Sequence, residues 1–261
     1  MVFGNAGPQN IFKNWVKHDP KSILLAGPKS VGKHLFAKEY LNTIDPNLCF
    51  YVDLKIQSVR DSIEFSSYLA NSRRFILIDD IELLTQAAQD SLLKTLEENI
   101  DSTFLLISHN QDLLNPALFS RFDAKIGFNL LSENEMLEFI KSIGEVDEFS
   151  KSVSRGRPGI YKIMHKRKEF EELFNSVNQF LSFEYIGKIP SLFLNWKNLS
   201  EIEKDACAYV CISADFKKNI NDSNKKLLSR ILMFSSFLLK NPKLNAELAW
   251  MNMLSESYCN V

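Results

Sequence analysis

Eight consecutive residues have the types and spacing to hold a phosphate: Gly27-Pro28-Lys29-Ser30-Val31-Gly32-Lys33-His34. The run fits G-x-x-x-x-G-K. Its glycines let backbone N–H groups approach phosphate oxygens, and Lys33 carries a positive charge to the β/γ end. The next position departs from the pattern, because His34 stands where serine or threonine is expected. That hydroxyl normally helps to hold Mg²⁺, an oxygen-seeking ion for which imidazole is a poor ligand. Two readings follow. Either the loop holds ATP or ADP, with Mg²⁺ possible and hydrolysis weak, or it is a degenerate loop kept for its fold.

A second set of chemically apt residues closes the apolar run Ile76-Leu77-Ile78 with Asp79 and Asp80. Asp79 falls where a carboxylate completes the metal shell of a bound nucleotide, which makes it the candidate Mg²⁺ ligand. Asp80 falls where a longer acid would position the attacking water. It is one methylene shorter than glutamate, and small misplacements of a reacting group are costly. An apolar run ending in two aspartates is weak evidence alone. Following a glycine loop in the right order, it becomes more specific.

The elements that position these residues can be read from periodicity. Residues 11–18 look like a short amphipathic helix. Ile23 to Ala26 form an apolar strand that runs into the glycine loop, and a helical pattern starts at Lys33. Phe50 to Leu54, Phe75 to Ile78 and Phe104 to Ile107 read as further strands, apolar as in a sheet covered on both faces. Helices are expected over 59–69 and after Thr85, where Leu92, Leu93 and Leu96 share a face. Strands alternating with helices predict a parallel α/β sheet. After about residue 130 the strand signals stop. Ser132 and Glu135 form a capping box for a helix to Ile143. Gly156-Arg157-Pro158-Gly159 breaks the chain, and from about 168 the pattern is helical, with breaks at 187–190, 195–200 and 241–242.

Bulk properties narrow the function classes. The 261 residues carry a net charge of −1, so no excess of Lys and Arg marks a stand-alone nucleic-acid binder. Cys49, Cys207, Cys211 and Cys259 are scattered without a C-x-x-C pair, so no zinc is expected. Cys207 and Cys211 share a helix face, where buried apolar filler is the simpler reading. No signal peptide or membrane-spanning run is evident, so a cytoplasmic location without a membrane partner is expected. The basic pairs Arg73-Arg74 and Lys166-Arg167-Lys168 are candidate DNA contacts, against the plainer reading of solvated surface.

The stretch from Leu77 to Phe122 carries a resemblance. It includes Ala87-Ala88-Gln89, Leu92-Leu93-Lys94-Thr95-Leu96-Glu97-Glu98, and Leu118-Phe119-Ser120-Arg121-Phe122. It resembles the AAA+ clamp-loader family, and in particular the delta-prime branch of bacterial DNA polymerase III. The likeness is clear over about 20–165, and the tail segment 241–254 is similar to the family's last collar helix. The resemblance implies an α/β fold with an AAA+ P-loop sheet domain (1–129), a small helical lid (130–167) and an all-α collar used for oligomerisation (168–261). It implies that Arg121, in the S-R-C motif with Phe122 in place of cysteine, reaches in trans to a neighbour's ATP. A guanidinium there stabilises charge building on the transferring phosphoryl group. It places a sensor residue at Ser108 or His109, and a second at the Gly156–Gly159 turn, where Arg157 either reaches phosphate or simply starts a helix. Implied partners are motor and delta-like loader subunits, a sliding clamp and primer-template DNA. The four-cysteine zinc module common in that branch is missing, since only Cys49 lies between the two phosphate-site motifs. Alternatives are a motor ATPase of phage or replication-factor-C type, or another AAA+ replication ATPase. His34 and Asp80 speak against the motor.

Overall fold

The computed structural model describes residues 2–52, 73–98, 101–144, 146–181, 191–213 and 233. The chain divides into two compact units, Met1–Phe139 and Ile140–Val261. The helix expected over 59–69, the break at 187–190 and the tail segment 241–254 lie outside the described residues.

In the first unit α1 (Ala6–Val16) leads to β1 (Ser22–Ala26), α2 (Lys33–Leu41), β2 (Cys49–Val52) and β3 (Arg74–Ile78). Then come α3 (Gln86–Glu98), β4 (Ser102–Ser108), α4 (Pro116–Ser120) and β5 (Ala124–Gly127), followed by α5 (Glu133–Ile143). The five strands pair in the order β2-β3-β4-β1-β5, all parallel. The strand that carries Ser108 thus sits between the one that ends at the glycine loop and the one that ends at Asp79. In register, Ala26 lies opposite Ser108 and Ile78 opposite Leu106.

Every residue of β1, β3 and β4 is buried, which explains their unbroken apolar runs. Alternate side chains serve opposite faces. Leu24, Ile76, Ile78, Phe104 and Leu106 join Leu92 and Leu96 of α3 and Leu118 of α4. Ile23, Leu25, Leu77, Leu105 and Ile107 join Phe12 of α1 and Phe36, Ala37 and Leu41 of α2. Each fully buried Leu or Ile contributes about 1.5–3 kcal/mol. β5 is a strand that apolar-run reading misses. Its four residues alternate buried and exposed, Ala124 and Ile126 inward, Lys125 and Gly127 outward, as suits the end of the sheet.

Local chemistry sets the element ends. Thr85 Oγ1 accepts from Ala88 N at 3.3 Å at the start of α3. Ser132 and Glu135 form the expected box: Ser132 N and Oγ donate to Glu135 Oε2 at 2.9 and 2.8 Å, and Glu135 N donates to Ser132 Oγ at 3.4 Å. Glu135 Oε1 also accepts from Asn5 N at 3.0 Å, tying the amino-terminal segment to α5. These bonds, led by the one from the Ser132 amide, hold the Glu135 carboxyl below its ordinary range.

The second unit contains α6 (Glu148–Ser154), α7 (Pro158–Met164), α8 (Glu169–Leu181), α9 (Ser191–Leu194) and α10 (Glu201–Ser213). Val153, Ile160, Phe170, Leu173, Phe193 and Val210 share one apolar core. Pro158 opens α7, where its missing N–H costs nothing, after Gly156 at φ 78°. Cys207 and Cys211 are fully buried in this core. Burial pushes the Cys211 thiol up to about 12 and the Cys207 thiol well above its ordinary value, so both stay protonated. Among the described residues no helix is long and apolar enough to cross a membrane.

Candidate functional site

The glycine loop connects β1 to α2 at the carboxyl edge of the sheet. Gly27 adopts φ 137° and Gly32 φ 99°, backbone that side-chain-bearing residues rarely adopt. Gly27 N donates to Ser108 O at 3.2 Å, and Phe128 N donates to Ala26 O at 2.7 Å, so the loop's start is fastened on both sides. Val31 is buried, Pro28, Ser30 and Gly32 are half-buried, and Lys29 is exposed.

Lys33 turns inward, with only 2% of its surface exposed. Its Nζ donates to Gly27 O at 2.6 Å and Pro28 O at 2.7 Å, and lies 2.8 Å from His109 Nδ1. These three contacts use all three ammonium protons. His109 Nδ1 must therefore accept, which leaves the ring proton on Nε2. That nitrogen lies 2.9 Å from Asp80 Oδ1 and 3.9 Å from Asp79 Oδ1. The approach to Asp80 is close but poorly aligned, and Oδ1 has no well-aligned hydrogen bond. The His109 contact, the larger cause, still holds the Asp80 carboxyl below its ordinary range against the opposing effect of burial. Asp80 itself sits at φ 50°.

The position that departs from the loop pattern also contacts the carboxylates. His34 Nδ1 lies 2.6 Å from Asp79 Oδ2. A carboxylate only accepts, so the imidazole is the donor. Asp79 Oδ1 meanwhile accepts from Asp80 N at 2.9 Å. Both oxygens of Asp79 are therefore engaged within the protein.

Asp79, Asp80 and His109 bring one ligand atom each within 4.8 Å of one another. The donor set nevertheless fits Mg²⁺ poorly. The loop offers no hydroxyl, both Asp79 oxygens have partners, and His109 presents a protonated nitrogen whose tautomer is fixed by Lys33.

Burial, the largest influence, lowers the Lys33 pKa to about 8 from 10.5, while Asp79, Glu82 and Asp80 pull the other way. From about pH 8 up to the ordinary lysine range, the unfolded chain holds a proton that the folded chain has released. Stability from this group therefore rises with pH through that window. Lys33→Met abolishes the effect. Urea unfolding from about pH 7 to about pH 10 should show wild type gaining on Lys33→Met as pH rises. A difference that stays constant across the window contradicts this account.

The structure brings Lys33, His34, Asp79, Asp80 and His109 together in the first unit. Arg157 belongs to the second unit, where its guanidinium lies 4.4 Å over the Tyr209 ring. Arg121 ends α4 and is exposed, with Nη2 2.8 Å from Glu97 Oε1 of α3. Phe122 beside it is buried against Leu118 and Phe119. The turn is fixed to the start of β1: Asp123 Oδ2 accepts from Lys21 N at 2.6 Å and Ser22 N at 3.1 Å, and Ser22 Oγ donates to Arg121 O at 3.4 Å.

Of the basic residues considered as DNA contacts, three arginines are engaged or buried within the chain. Arg73 donates to Thr103 Oγ1, Pro20 O and Ser102 O, and Arg74 is buried in β3. Arg167 pairs with Glu203 at 2.5 Å and Glu169 at 3.2 Å, while Lys166 and Lys168 are exposed. A participant that motif reading missed is Glu82, whose Oε1 accepts from His109 N at 2.8 Å.

Residues 52–129 match the family described as DNA polymerase III, delta subunit. No curated protein matches the chain. Among solved structures, a DNA polymerase III gamma subunit-related protein from Thermotoga maritima is similar at 18% identity and a TM-score of 0.53, covering 96% of this chain and 98% of its own. The Holliday junction branch migration motor RuvB of the same organism is similar at 19% identity and a TM-score of 0.50, covering 84% of this chain and 85% of its own. These likenesses are of fold, a parallel α/β sheet with helices on both faces.

Proposed function

We propose that this chain, which belongs with the clamp-loader family of AAA+ proteins, is a delta-prime-like subunit of a DNA sliding-clamp loader. In this reading it completes a neighbour's ATP site with Arg121 and uses its own site for binding rather than turnover. The observation that carries the reading is the placement of Arg121. Its side chain is 58% exposed, while its backbone carbonyl is bonded to the start of β1, at the opposite end of that strand from the glycine loop. A cation held rigidly on one edge of the sheet, away from the chain's own phosphate loop, can serve a neighbour and not the home site.

The rest of the chain takes roles in keeping. Residues 130–167 act as lid, with Arg157 a candidate phosphate contact, and 168–261 form the collar that joins motor and delta-like subunits. Asp79 and Asp80 occupy the catalytic acid positions but are held by imidazoles, which supports weak or absent hydrolysis of the chain's own ATP or ADP. The sliding clamp and primer-template DNA are partners of the assembled loader, in the cytoplasm.

The test is assembly. Purified with the motor and delta-like subunits of its source, the full chain should enter one stable hetero-oligomer that binds the clamp in the presence of ATP, read by size-exclusion chromatography with light scattering. A chain that stays monomeric, or that forms a ring of its own copies and turns over ATP alone, overturns the proposal.

A further inference from the structure

An AAA+ site ordinarily presents a carboxylate and a loop hydroxyl to Mg²⁺, and the ion stands between the carboxylate and the phosphates. Here an imidazole lies against that carboxylate. His34 replaces the hydroxyl and donates Nδ1–H to Asp79 Oδ2 at 2.6 Å. Asp79 Oδ1 is taken by the Asp80 amide. His109 places its protonated Nε2 2.9 Å from Asp80 Oδ1, close but poorly aligned, and Lys33 on the far side of the ring fixes that tautomer. Each acid of the pair is thus faced by an imidazole N–H.

We propose that the glycine loop of this chain binds the diphosphate of a nucleotide independently of Mg²⁺, with His34 standing in for the ion. The inference rests on the reading that this loop engages a nucleotide, but not on assembly or on Arg121. Phosphate oxygens meet the first-turn N–H groups of α2, which have no acceptor within the helix. They also meet Lys33 Nζ, which exchanges its bonds to Gly27 O, Pro28 O and His109 for bonds to phosphate. The repulsion that Asp79 would otherwise exert is reduced because its outward oxygen is already bonded to His34. Both oxygens of Asp79, the carboxylate at the metal position, already have partners and the loop offers no hydroxyl, and without the metal the attacking water and leaving group lack their usual charge stabilisation. Binding is retained and turnover is not.

The experiment titrates a fluorescent ADP analogue into the full chain, once with excess Mg²⁺ and once with excess EDTA. Wild type should give dissociation constants that agree to within about threefold. His34→Ser restores the hydroxyl and frees Asp79 Oδ2, so it should bind at least about tenfold more tightly with Mg²⁺ than with EDTA. His34 is largely exposed, so the variant should fold, and circular dichroism checks this. Electron paramagnetic resonance of Mn²⁺ added with ADP gives a second readout: wild type should show no protein-bound Mn²⁺ signal and His34→Ser should show one. Three results overturn the inference: Mg²⁺ tightening wild-type binding by about tenfold or more, the analogue failing to bind under either condition, or His34→Ser remaining indifferent to the metal. Each leaves the loader-subunit reading standing, because that reading is judged by assembly.

Discussion

Arg121→Ala is expected to assemble normally and to slow ATP hydrolysis at the interface it serves by roughly a thousandfold. The size follows from what an arginine does opposite a transferring phosphoryl group, where negative charge spreads over the equatorial oxygens in a site with little water. The fold should not suffer. Arg121 and its partner Glu97 are 58% and 44% exposed, and an exposed ion pair is worth about 0–1 kcal/mol. The neighbouring Phe122, which does hold the turn in the core, is untouched. The measurement is steady-state hydrolysis by the reconstituted loader with clamp and primed DNA, the phosphate-loop lysines of the other ATP sites being replaced by alanine. Lys should not substitute for Arg, because a point charge lacks the planar fork. Unchanged turnover in Arg121→Ala would remove the residue from the mechanism.

Gly27→Ala is expected to destabilise the first unit by about 3 kcal/mol or more. A Cβ at this position would lie 2.0 Å from the carbonyl oxygen of Phe128, and that atom is backbone. Phe128 cannot withdraw easily. Its amide is bonded to Ala26 O, its ring is buried, and it packs 5.6 Å from Phe36 of α2. The φ of 137° adds a conformational cost for any side chain. Gly7→Ala is the matched control, because nothing lies within 4 Å of the added Cβ and the residue is helical. It should be neutral or stabilising by up to about 1 kcal/mol. Urea unfolding of the two variants decides the matter, and equal midpoints would contradict the account.

Much of the first unit was legible in the sequence because its strands are covered on both faces. Burial on both sides demands apolar residues at every position, so β1, β3 and β4 announce themselves as runs. β5 was not legible, since four residues alternating in burial look like a turn. The glycine loop and the aspartate pair were legible as motifs because they lie in local spacing. The contacts among them were not. Lys33 and His109 are 76 residues apart, and only the insertion of β4 between β1 and β3 brings them together. Sequence marked Ser108 or His109 without choosing, and of the two it is His109 whose side chain contacts Lys33. The basic pair Arg73-Arg74 shows the opposite failure. Adjacent charges suggested a nucleic-acid contact, but Arg73 is spent on two carbonyls and a hydroxyl, and Arg74 is buried in β3.

The short strand β1 also gives the chain a direction. Its first residue is bonded to the turn that carries Arg121, and its last runs into the phosphate loop. Five residues separate the two, about 17 Å at most. In the proposed reading each subunit offers a cation at one edge and receives one at the other, so subunits stack head to tail, and a stack that does not close has two unlike ends. A member whose own site does not turn over gains nothing from a cation delivered to it. On the proposed reading such a member would stand at the end of the row, giving without receiving, a place set by the polarity of one strand.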